Sequence, residues 1–359
     1  MRIGLIHYTL GHRGGLETRM RNYIQAFLKR GDEVYVFHGR DRDNYQVPEG
    51  AHKVFVSAGW TPKLFYLRMR AFNQRVCREV RKHDLDFVLS LGRNSCQHAV
   101  LAPATHTGYL RGLGRRYRWW KDALPTKMDA DSYQASEVVL AASSQIREEL
   151  LEDYGVPPEK VAILFPPLQT ERFYPQLKEK KHELRRKHGI DGNQTVCLFV
   201  SADHARKGLP LLYELFAELP GDFRLLVLGN GPDSLDPGLT NVDFLGFQKD
   251  PSEWYALADC TIHPALYEPF GQIISESLCC RTPVVVSHRV GAKELISDKD
   301  GIVVDSFKLA DWMDALWRIR SEVWEVPDNF AQLHRLSVED HIEKMLGFWK
   351  GKRNQGAFS

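Results

Sequence analysis

Several features that would quickly assign a protein are missing from this sequence. No apolar run approaches the ~20 residues that a membrane-spanning helix needs. The opening Met1–Ile6 is strand-like and lacks the long apolar run of a secretory signal, so we expect no leader. The six cysteines include no C-x-x-C pair, and no Cys/His group has zinc spacing. These absences predict reduced thiols in a cytoplasm-like compartment.

Net charge is also almost absent, but its distribution is uneven. The 359 residues carry 48 Lys+Arg against 46 Asp+Glu, a net charge of +2. Up to Phe165 there are 25 Lys+Arg against 18 Asp+Glu, a net +7, and the remainder has 23 against 28, a net −5. This asymmetry indicates that the first half meets an anionic partner. The length predicts two domains.

Strands and helices alternate in both halves. A strand at 3–8, a loop ending at Gly14-Gly15, a helix to Arg30 and a strand at Glu33–His38 form a βαβ unit, which is how a doubly wound sheet begins. The spacing is not G-x-G-x-x-G, so a dinucleotide site is weakly supported. Further along, 62–83 is predicted as a basic amphipathic surface helix. The polar segment 166–187 is predicted as an inter-domain linker.

The most informative stretch, 260–287, is predicted as strand, loop, helix and strand. Glu268 lies in the loop and Glu276 on the helix. The helix begins at Gly271, and backbone N–H groups at a helix start bind anions; the residues concerned are Gly271, Gln272 and Ile273. Two carboxylates that can hold hydroxyls beside an anion cradle suit a sugar attached to a diphosphate. The alternative interpretation is two ordinary solvated charges.

Residues 109–121 combine basic and aromatic side chains. The basic ones are Arg111, Arg115, Arg116, Arg118 and Lys121, interleaved with Tyr109, Leu110, Tyr117, Trp119 and Trp120. Such a mixture is attracted to anionic membrane surfaces, so we expect this stretch to serve as a membrane or acceptor surface. A helix with core aromatics and solvated arginines is the alternative. Nucleic acid ranks lower, because no nucleic-acid motif accompanies the stretch.

Spaced motifs in the second half match a known family. In chain order they are Arg206-Lys207-Gly208, Leu228–Pro232, Phe244–Gly246, Ala258-Asp259, His263-Pro264, Glu268–Gly271 with Glu276, Thr282–Val285, and Gly291 with Glu294. On these residues the chain resembles the family-4-type retaining glycosyltransferases of the GT-B fold, especially the bacterial transferases of the lipopolysaccharide core. The resemblance covers about residues 196–304. The first half is similar more thinly, through Gly14–Glu17 and a histidine after a strand, and Arg281 departs from the usual glycine.

This resemblance implies an α/β GT-B fold of two Rossmann-like doubly wound domains that face a cleft. The implied boundaries are 1–165 for an acceptor-side domain and 166–335 for a nucleotide-sugar-binding domain. A final helix in 336–359 is expected to pack back on the N-terminal domain.

The resemblance also implies roles for individual residues. Arg206 and Lys207 would neutralise the diphosphate, which adjacent cations at a glycine turn can do. Glu268 would hold donor-sugar hydroxyls and Glu276 the ribose. His106 would lie near the reacting carbon, although His7, His12 and His98 compete for that place. Backbone groups would complete the donor site at Gly14, Gly15, Gly229, Gly246, Phe247, Phe270, Gly271, Gln272 and Ile273.

No metal is predicted. Asp-x-Asp pairs occur at 41–43, 84–86, 129–131 and 298–300, but none follows an apolar strand as a metal-bridged diphosphate site would. The family resemblance implies a hexosyltransferase that moves sugar from a UDP-linked donor to a membrane-associated glycolipid or lipopolysaccharide core acceptor, and we expect it to need neither a metal nor another cofactor. It would work in the cytoplasm, peripherally on the inner face of the cytoplasmic membrane, without nucleic acid. Two alternatives stay open: a nucleotide-sugar epimerase of the same fold, and a non-catalytic membrane-binding module.

Overall fold

The computed structural model describes the chain except for residues 13, 60–64, 232–236 and 357–359. Leu64 of the predicted helix 62–83 and Pro232 of the glycine-turn motif therefore lie outside the described residues. The chain divides into two compact units. The first unit comprises Met1–Pro167 and Val338–Ser359, and the second unit comprises Leu168–Ser337.

The first unit is built on a parallel sheet. Its strands are β1 (Arg2–Ile6), β2 (Thr9–Leu10), β3 (Glu33–His38), β4 (Arg40–Asp41), β5 (Ala51–Phe55), β6 (Phe87–Ser90), β7 (Ala99–Ala102), β8 (Val138–Ala141) and β9 (Val161–Ile163). Seven of them form one sheet in the order β5-β3-β1-β6-β7-β8-β9, and β2 pairs with β4. The central strands β6, β7 and β8 are buried at every position. Continuous apolar strands of this kind are typical of parallel sheets that are covered on both faces.

Helices follow the strands of the first unit in the expected alternation. They are α1 (Gly15–Lys29), α2 (Phe65–Val80), α3 (His106–Gly112), α4 (Trp119–Ala135) and α5 (Ser144–Tyr154), with a 3-10 turn at Pro158–Lys160. Ser143 caps α5 as its sequence predicts, since its side chain accepts a hydrogen bond from the backbone N–H of Ile146. Helix α4 begins at Trp119, where the Asp122 carboxylate accepts the backbone N–H of Arg118 and closes the first turn.

The second unit repeats this architecture on a separate sheet. Its strands are β10 (Thr195–Ser201), β11 (Phe223–Gly229), β12 (Val242–Gly246), β13 (Cys260–His263), β14 (Val284–Ser287) and β15 (Gly301–Val304). They are parallel and lie in the order β12-β11-β10-β13-β14-β15. The helices are α6 (Lys181–Lys187), α7 (His204–Lys207), α8 (Leu209–Glu218), α9 (Ser252–Leu257), α10 (Gln272–Cys279), α11 (Leu309–Ser321) and α12 (Phe330–Leu333), with 3-10 helices at Pro175–Lys180 and Gly291–Leu295.

The segment 166–187, expected to be a linker, is instead largely part of the second unit. The Lys178 ammonium donates a 2.7 Å hydrogen bond to the backbone carbonyl of Ala258. The Arg185 guanidinium pairs with the Asp259 carboxylate at 2.6 Å, and its side chain is only 6% exposed. The linker prediction is wrong because these polar side chains bind partners within the unit instead of water.

The last helix, α13 (Val338–Gly356), completes the core of the first unit. His341 Nδ1 lies 2.9 Å from the carbonyl oxygen of Phe165, and its Nε2 lies 2.6 Å from the Tyr23 hydroxyl on α1. A carbonyl only accepts, so Nδ1–H donates to it and Nε2 accepts from Tyr23. The apolar residues that α13 adds to the same core are Ile342, Met345, Leu346 and Trp349.

Both sheets reverse their direction of growth once. In the first unit this happens between β1 and β6, and in the second unit between β10 and β13. At such a point the loops at the carboxyl ends of the two strands diverge, and open α/β sheets bind their ligands in the resulting crevice. None of the helices in the described ranges combines the length and apolar character that crossing a membrane requires.

Candidate functional site

The residues predicted to bind a donor in the second half gather at one edge of the second sheet. Arg206 and Lys207 follow β10 in α7, Gly229 ends β11, and Gly246 ends β12. Glu268 follows β13. Because the carboxyl ends of parallel strands lie at the same edge, the sheet brings these positions together. The loops after β10 and β13 also flank the reversal point of the sheet.

The Glu268 carboxylate is the centre of a charged cluster. Its Oε2 atom lies 3.3 Å from Arg206 Nη1 and 3.7 Å from Lys207 Nζ. Nε2 of His263, the last residue of β13, lies 3.4 Å from the same oxygen, and the His263 side chain is fully buried. Arg206 Nη1 also donates to the Tyr267 carbonyl at 2.8 Å, which fixes the guanidinium. The fold thus brings the Arg206-Lys207 motif and the Glu268 motif, about sixty residues apart in sequence, into one cluster of charged side chains.

The cluster keeps Glu268 ionised. Burial alone would raise the pKa of Glu268, but its contact with His263 and the charges of Lys207 and Arg206 outweigh burial and lower it to about 2. Burial lowers the pKa of His263, so its ring is neutral at pH 7. One carboxylate therefore faces two cations. Asp203 also contacts Arg206 Nε at 2.9 Å, but half of its side chain is exposed, where water screens the charge.

Backbone hydrogen bonds hold the Glu268 loop to the segment after β14. The Glu268 N–H donates to the Arg289 carbonyl at 3.1 Å, and the Gly291 N–H donates to the Glu268 carbonyl at 2.9 Å. One step further, the Ala292 N–H donates to the Phe270 carbonyl at 2.7 Å. Glu268 and Val290 form an isolated parallel bridge. The carboxylate is therefore presented by a strand-like, anchored backbone.

Two glycines in these loops adopt backbone angles that favour glycine. Gly271, at the start of α10, has φ 92°, and a Cβ there would lie 3.1 Å from Val290 and 3.2 Å from the Glu268 side chain. Gly208, after Lys207, has φ 88°, and a Cβ there would overlap the Pro264 carbonyl. Both glycines allow the Glu268 loop to pack closely against its neighbours. Phe270 is buried, Gln272 is exposed, and Ile273 lies between these extremes.

Glu276, the second carboxylate of the motif, has a different environment. Its Oε2 atom accepts a 2.7 Å hydrogen bond from the hydroxyl of Tyr255 on α9. Burial raises the pKa of Glu276, and the Tyr255 hydrogen bond lowers it in part. The surroundings thus lower the pKa of Glu268 and raise the pKa of Glu276.

At the end of β12, Gly246 has φ 69°, and the side chain of the following Phe247 is 82% exposed.

The sequence motifs did not identify His263 and Tyr255 as site residues. His263 belongs to the His263-Pro264 motif, but no role was assigned to it. The feature that could have revealed it is a polar side chain at the end of a largely apolar strand. Tyr255 lies on the helix that precedes β13, and nothing in its local pattern separates it from a core aromatic residue. Its partner Glu276 is twenty-one positions away, so only the fold reveals the pair.

In the first unit, the predicted glycines and histidine follow different strands. Gly14 caps the N-terminus of α1 with φ 115°, and Gly15 is the first residue of that helix. His106 is the first residue of α3, after β7. Its Nε2 atom lies 3.0 Å from Asp122 Oδ1, and its backbone N–H donates to Asp129 at 3.3 Å.

The stretch 109–121 exposes Tyr117 and both of its tryptophans. Trp119 is 73% exposed and Trp120 is 70% exposed, which contradicts the alternative that these tryptophans belong to a core. Arg111 pairs with Asp153 at 2.7 Å. The remaining basic residues are also exposed; they are Arg115, Arg116, Arg118 and Lys121.

The part of the chain that the structure describes contains neither a disulfide nor a group of side chains that could hold a metal ion. All six cysteines are free thiols. Within the described ranges, no three His, Cys, Asp or Glu side chains lie close enough together to hold a metal ion.

Two family models match the chain in succession. The model described as Glycosyltransferase Family 4 matches residues 13–172, and the one described as Glycosyl transferases group 1 matches residues 180–330. The chain is a glycosyltransferase of this family 4 and group 1 type. The charged cluster around Glu268 belongs to the group 1 region of the glycosyltransferase.

Similar proteins place the glycosyltransferase among GT-B enzymes. A probable transglycosylase from Burkholderia thailandensis is 28% identical over 96% of both chains. The lipopolysaccharide glucosyltransferase WaaG of Escherichia coli is 28% identical over 54% of both chains. A crystal structure of WaaG superposes with a TM-score of 0.73 over 94% of both chains at 20% identity. HepE of Anabaena, solved with UDP-glucose, has a TM-score of 0.71 over all of both chains at 15% identity. The predicted GT-B fold with two Rossmann-like domains is confirmed.

Proposed function

We propose that this glycosyltransferase moves a hexose from a UDP-linked donor to a membrane-associated glycolipid, such as a lipopolysaccharide core, with retention of configuration. The observation that carries the proposal is the cluster in which Arg206, Lys207 and His263 converge on the Glu268 carboxylate. It lies at the reversal point of a doubly wound sheet, where such sheets bind ligands. HepE, a neighbour of the same fold, was solved with UDP-glucose, which supports a UDP-linked donor.

The cations give the cluster its role in the reaction. When the bond from the sugar to the diphosphate breaks, negative charge grows on the leaving phosphate. Arg206 and Lys207 would stabilise that charge from fixed positions, and no metal is needed for this in the proposed mechanism. Glu268, which its neighbours keep ionised at neutral pH by lowering its pKa, would accept hydrogen bonds from donor-sugar hydroxyls.

The remaining predicted residues complete the proposed site. Glu276, oriented by Tyr255, would bind the ribose hydroxyls, and the backbone near Gly246 and Phe247 would hold the base. Other proposed donor contacts are Gly14, Gly15, Gly229, Phe270, Gly271, Gln272 and Ile273. His106, held by Asp122, is the proposed side chain nearest the reacting carbon.

The stretch 109–121 is the proposed contact with the membrane that carries the acceptor. Exposed tryptophans next to arginines suit a surface with apolar and anionic parts, because the indole enters the interface while the guanidinium groups meet lipid phosphates. The enzyme would therefore act at the inner face of the cytoplasmic membrane. The similarity to WaaG, a lipopolysaccharide glucosyltransferase, supports a lipopolysaccharide acceptor.

A two-step experiment tests this function. Thermal unfolding with a panel of UDP- and other nucleotide sugars identifies the donor, because a ligand that binds the folded state raises the melting temperature. Release of UDP is then measured with and without a lipopolysaccharide core glycolipid. We expect release that depends on the glycolipid and is lost in Lys207→Ala but not in Lys180→Ala, a matched change of an exposed lysine. Donor conversion without acceptor would indicate an epimerase, and vesicle binding without turnover would indicate a membrane-binding module.

A further inference from the structure

The first unit contains a cavity that the donor site does not use. Its volume is about 220 Å³, and it opens beside the loop that follows β6. This loop flanks the reversal point of the first sheet, between β1 and β6. The residues around the cavity come from α2, this loop and α4, and they include Arg70, Asn73, Gln74, Arg93, Asn94 and Lys127.

The lining offers both hydrogen-bond donors and acceptors. Arg93 Nε donates to Asp129 at 2.6 Å, and Lys127 pairs with Asp131 at 2.9 Å. The side chain of Asn73 is fixed by the loop, since its amide donates to Ser95 Oγ and its oxygen accepts the Ser95 N–H, both at 3.0 Å. A sugar hydroxyl both donates and accepts, so mixed linings of amides and ion pairs suit it.

Among the residues that the structure describes, one cation in this lining has no carboxylate partner. Arg93 and Lys127 each have a carboxylate partner. Arg70 is exposed on α2 and forms no ion pair with any residue that the structure describes. An arginine fork of this kind is well suited to a phosphate or carboxylate group.

The size of the cavity limits what can enter it. A volume of 220 Å³ is below the ~300 Å³ at which pockets for drug-sized ligands begin, so the cavity matches a smaller group than a complete nucleotide sugar. A single sugar ring is the appropriate scale. The apolar side chains of Leu124 and Met128 supply a surface for the carbon face of such a ring.

We propose that this cavity is an acceptor subsite for one sugar ring that carries an anionic group, with Arg70 as the contact for the anion. Asn73, Gln74 and Asn94 bind the ring hydroxyls. This inference rests on the proposed function, because the ring is taken to belong to the acceptor. The subsite gives one positive charge of the first half a role besides the membrane contact, which is to bind the anionic group of the acceptor.

Binding of small probes to the complete protein tests the subsite. The donor site is first saturated with UDP, and the side-chain amide signals of Asn73, Gln74 and Asn94 are followed by NMR. We expect at least one of glucose 6-phosphate, mannose 6-phosphate and galactose 6-phosphate to shift these signals. The parent hexose should bind about tenfold more weakly, because a hydrogen-bonded charge is lost. Arg70→Gln should remove this difference.

The control is Arg78→Gln, which changes an exposed arginine on the same helix that does not line the cavity. It should bind the hexose phosphate like the unmodified protein. The proposal is overturned if none of the three phosphates shifts the amide signals, or if Arg70→Gln and Arg78→Gln behave alike. Saturation with UDP is measured separately, so failure of the subsite is distinguishable from failure of the proposed donor site.

Discussion

Replacing Glu268 by glutamine tests the physical basis of the charged cluster. Glutamine keeps the shape of the side chain but removes its charge, as protonation would. The Glu268 side chain is 14% exposed, and its neighbours lower its pKa from 4.5 to about 2. A shift of that size corresponds to about 3 kcal/mol of folding free energy at pH 7. Glu268→Gln should therefore destabilise the second unit by about that amount at pH 7.

The sign of the effect fixes its pH dependence. A carboxylate whose pKa is lowered by folding stabilises the protein above its unfolded pKa and loses this contribution as the pH falls towards the folded value. The difference between wild type and Glu268→Gln should thus be constant from pH 7 to about pH 5 and fall to roughly half at pH 3. Calorimetric unfolding at these pH values measures it. A unit of this size should melt about 6–12 °C lower at pH 7.

Glu214→Gln is the matched control, since Glu214 is exposed on α8. Its melting temperature should match that of wild type, because exposed substitutions usually change stability by less than about 0.5 kcal/mol. The reasoning is refuted if Glu268→Gln is as stable as wild type at pH 7. It is also refuted if the deficit is the same at pH 3 as at pH 7, since the loss would then not come from the charge.

Three further variants test the proposed roles. Lys207→Ala should lower kcat by about 10² or more with unchanged circular dichroism, since a cation beside the leaving phosphate is lost; full turnover would contradict this role. Tyr255→Phe should raise the donor KM about tenfold. The pKa of Glu276 should also rise, because burial already raises it and the phenol no longer opposes that; an unchanged pH profile of kcat/KM would count against the pair. Changing Trp119 and Trp120 to Ala should abolish flotation with anionic vesicles, with neutral vesicles as control; undiminished flotation would exclude this contact.

The fold follows from the sequence wherever the pattern is local. The strand at Glu33–His38 was predicted to the residue, because buried parallel strands are short apolar runs bounded by turns. The place of the segment 166–187 in the second unit was not predicted, because the contacts that stabilise this segment are long-range. Polarity alone predicts exposure, whereas its lysines and arginines find carbonyls and Asp259 some seventy to eighty positions away.

The site was predictable only in part for a similar reason. Arg206, Lys207 and Glu268 stand out in the sequence because each lies close to a glycine and shortly after an apolar strand. Their mutual distances depend on β10 and β13 being neighbours, which no local pattern specifies. His263 was overlooked because a histidine at a strand end has several structural explanations, and only its buried contact with Glu268 gives it a site.

The return of α13 to the first unit has a consequence for biosynthesis. The second unit is one continuous segment, but the core of the first unit includes Trp349 and its helical neighbours. At 5–20 residues per second, a ribosome needs about 9–35 s to proceed from the end of β9 to the start of this helix. During that interval the surface of α1 that receives α13 is uncovered, and Tyr23 has no histidine to accept its hydroxyl proton. The apolar side chains of the first unit that pack against Ile342, Met345, Leu346 and Trp349 therefore stay without these partners until α13 has been made.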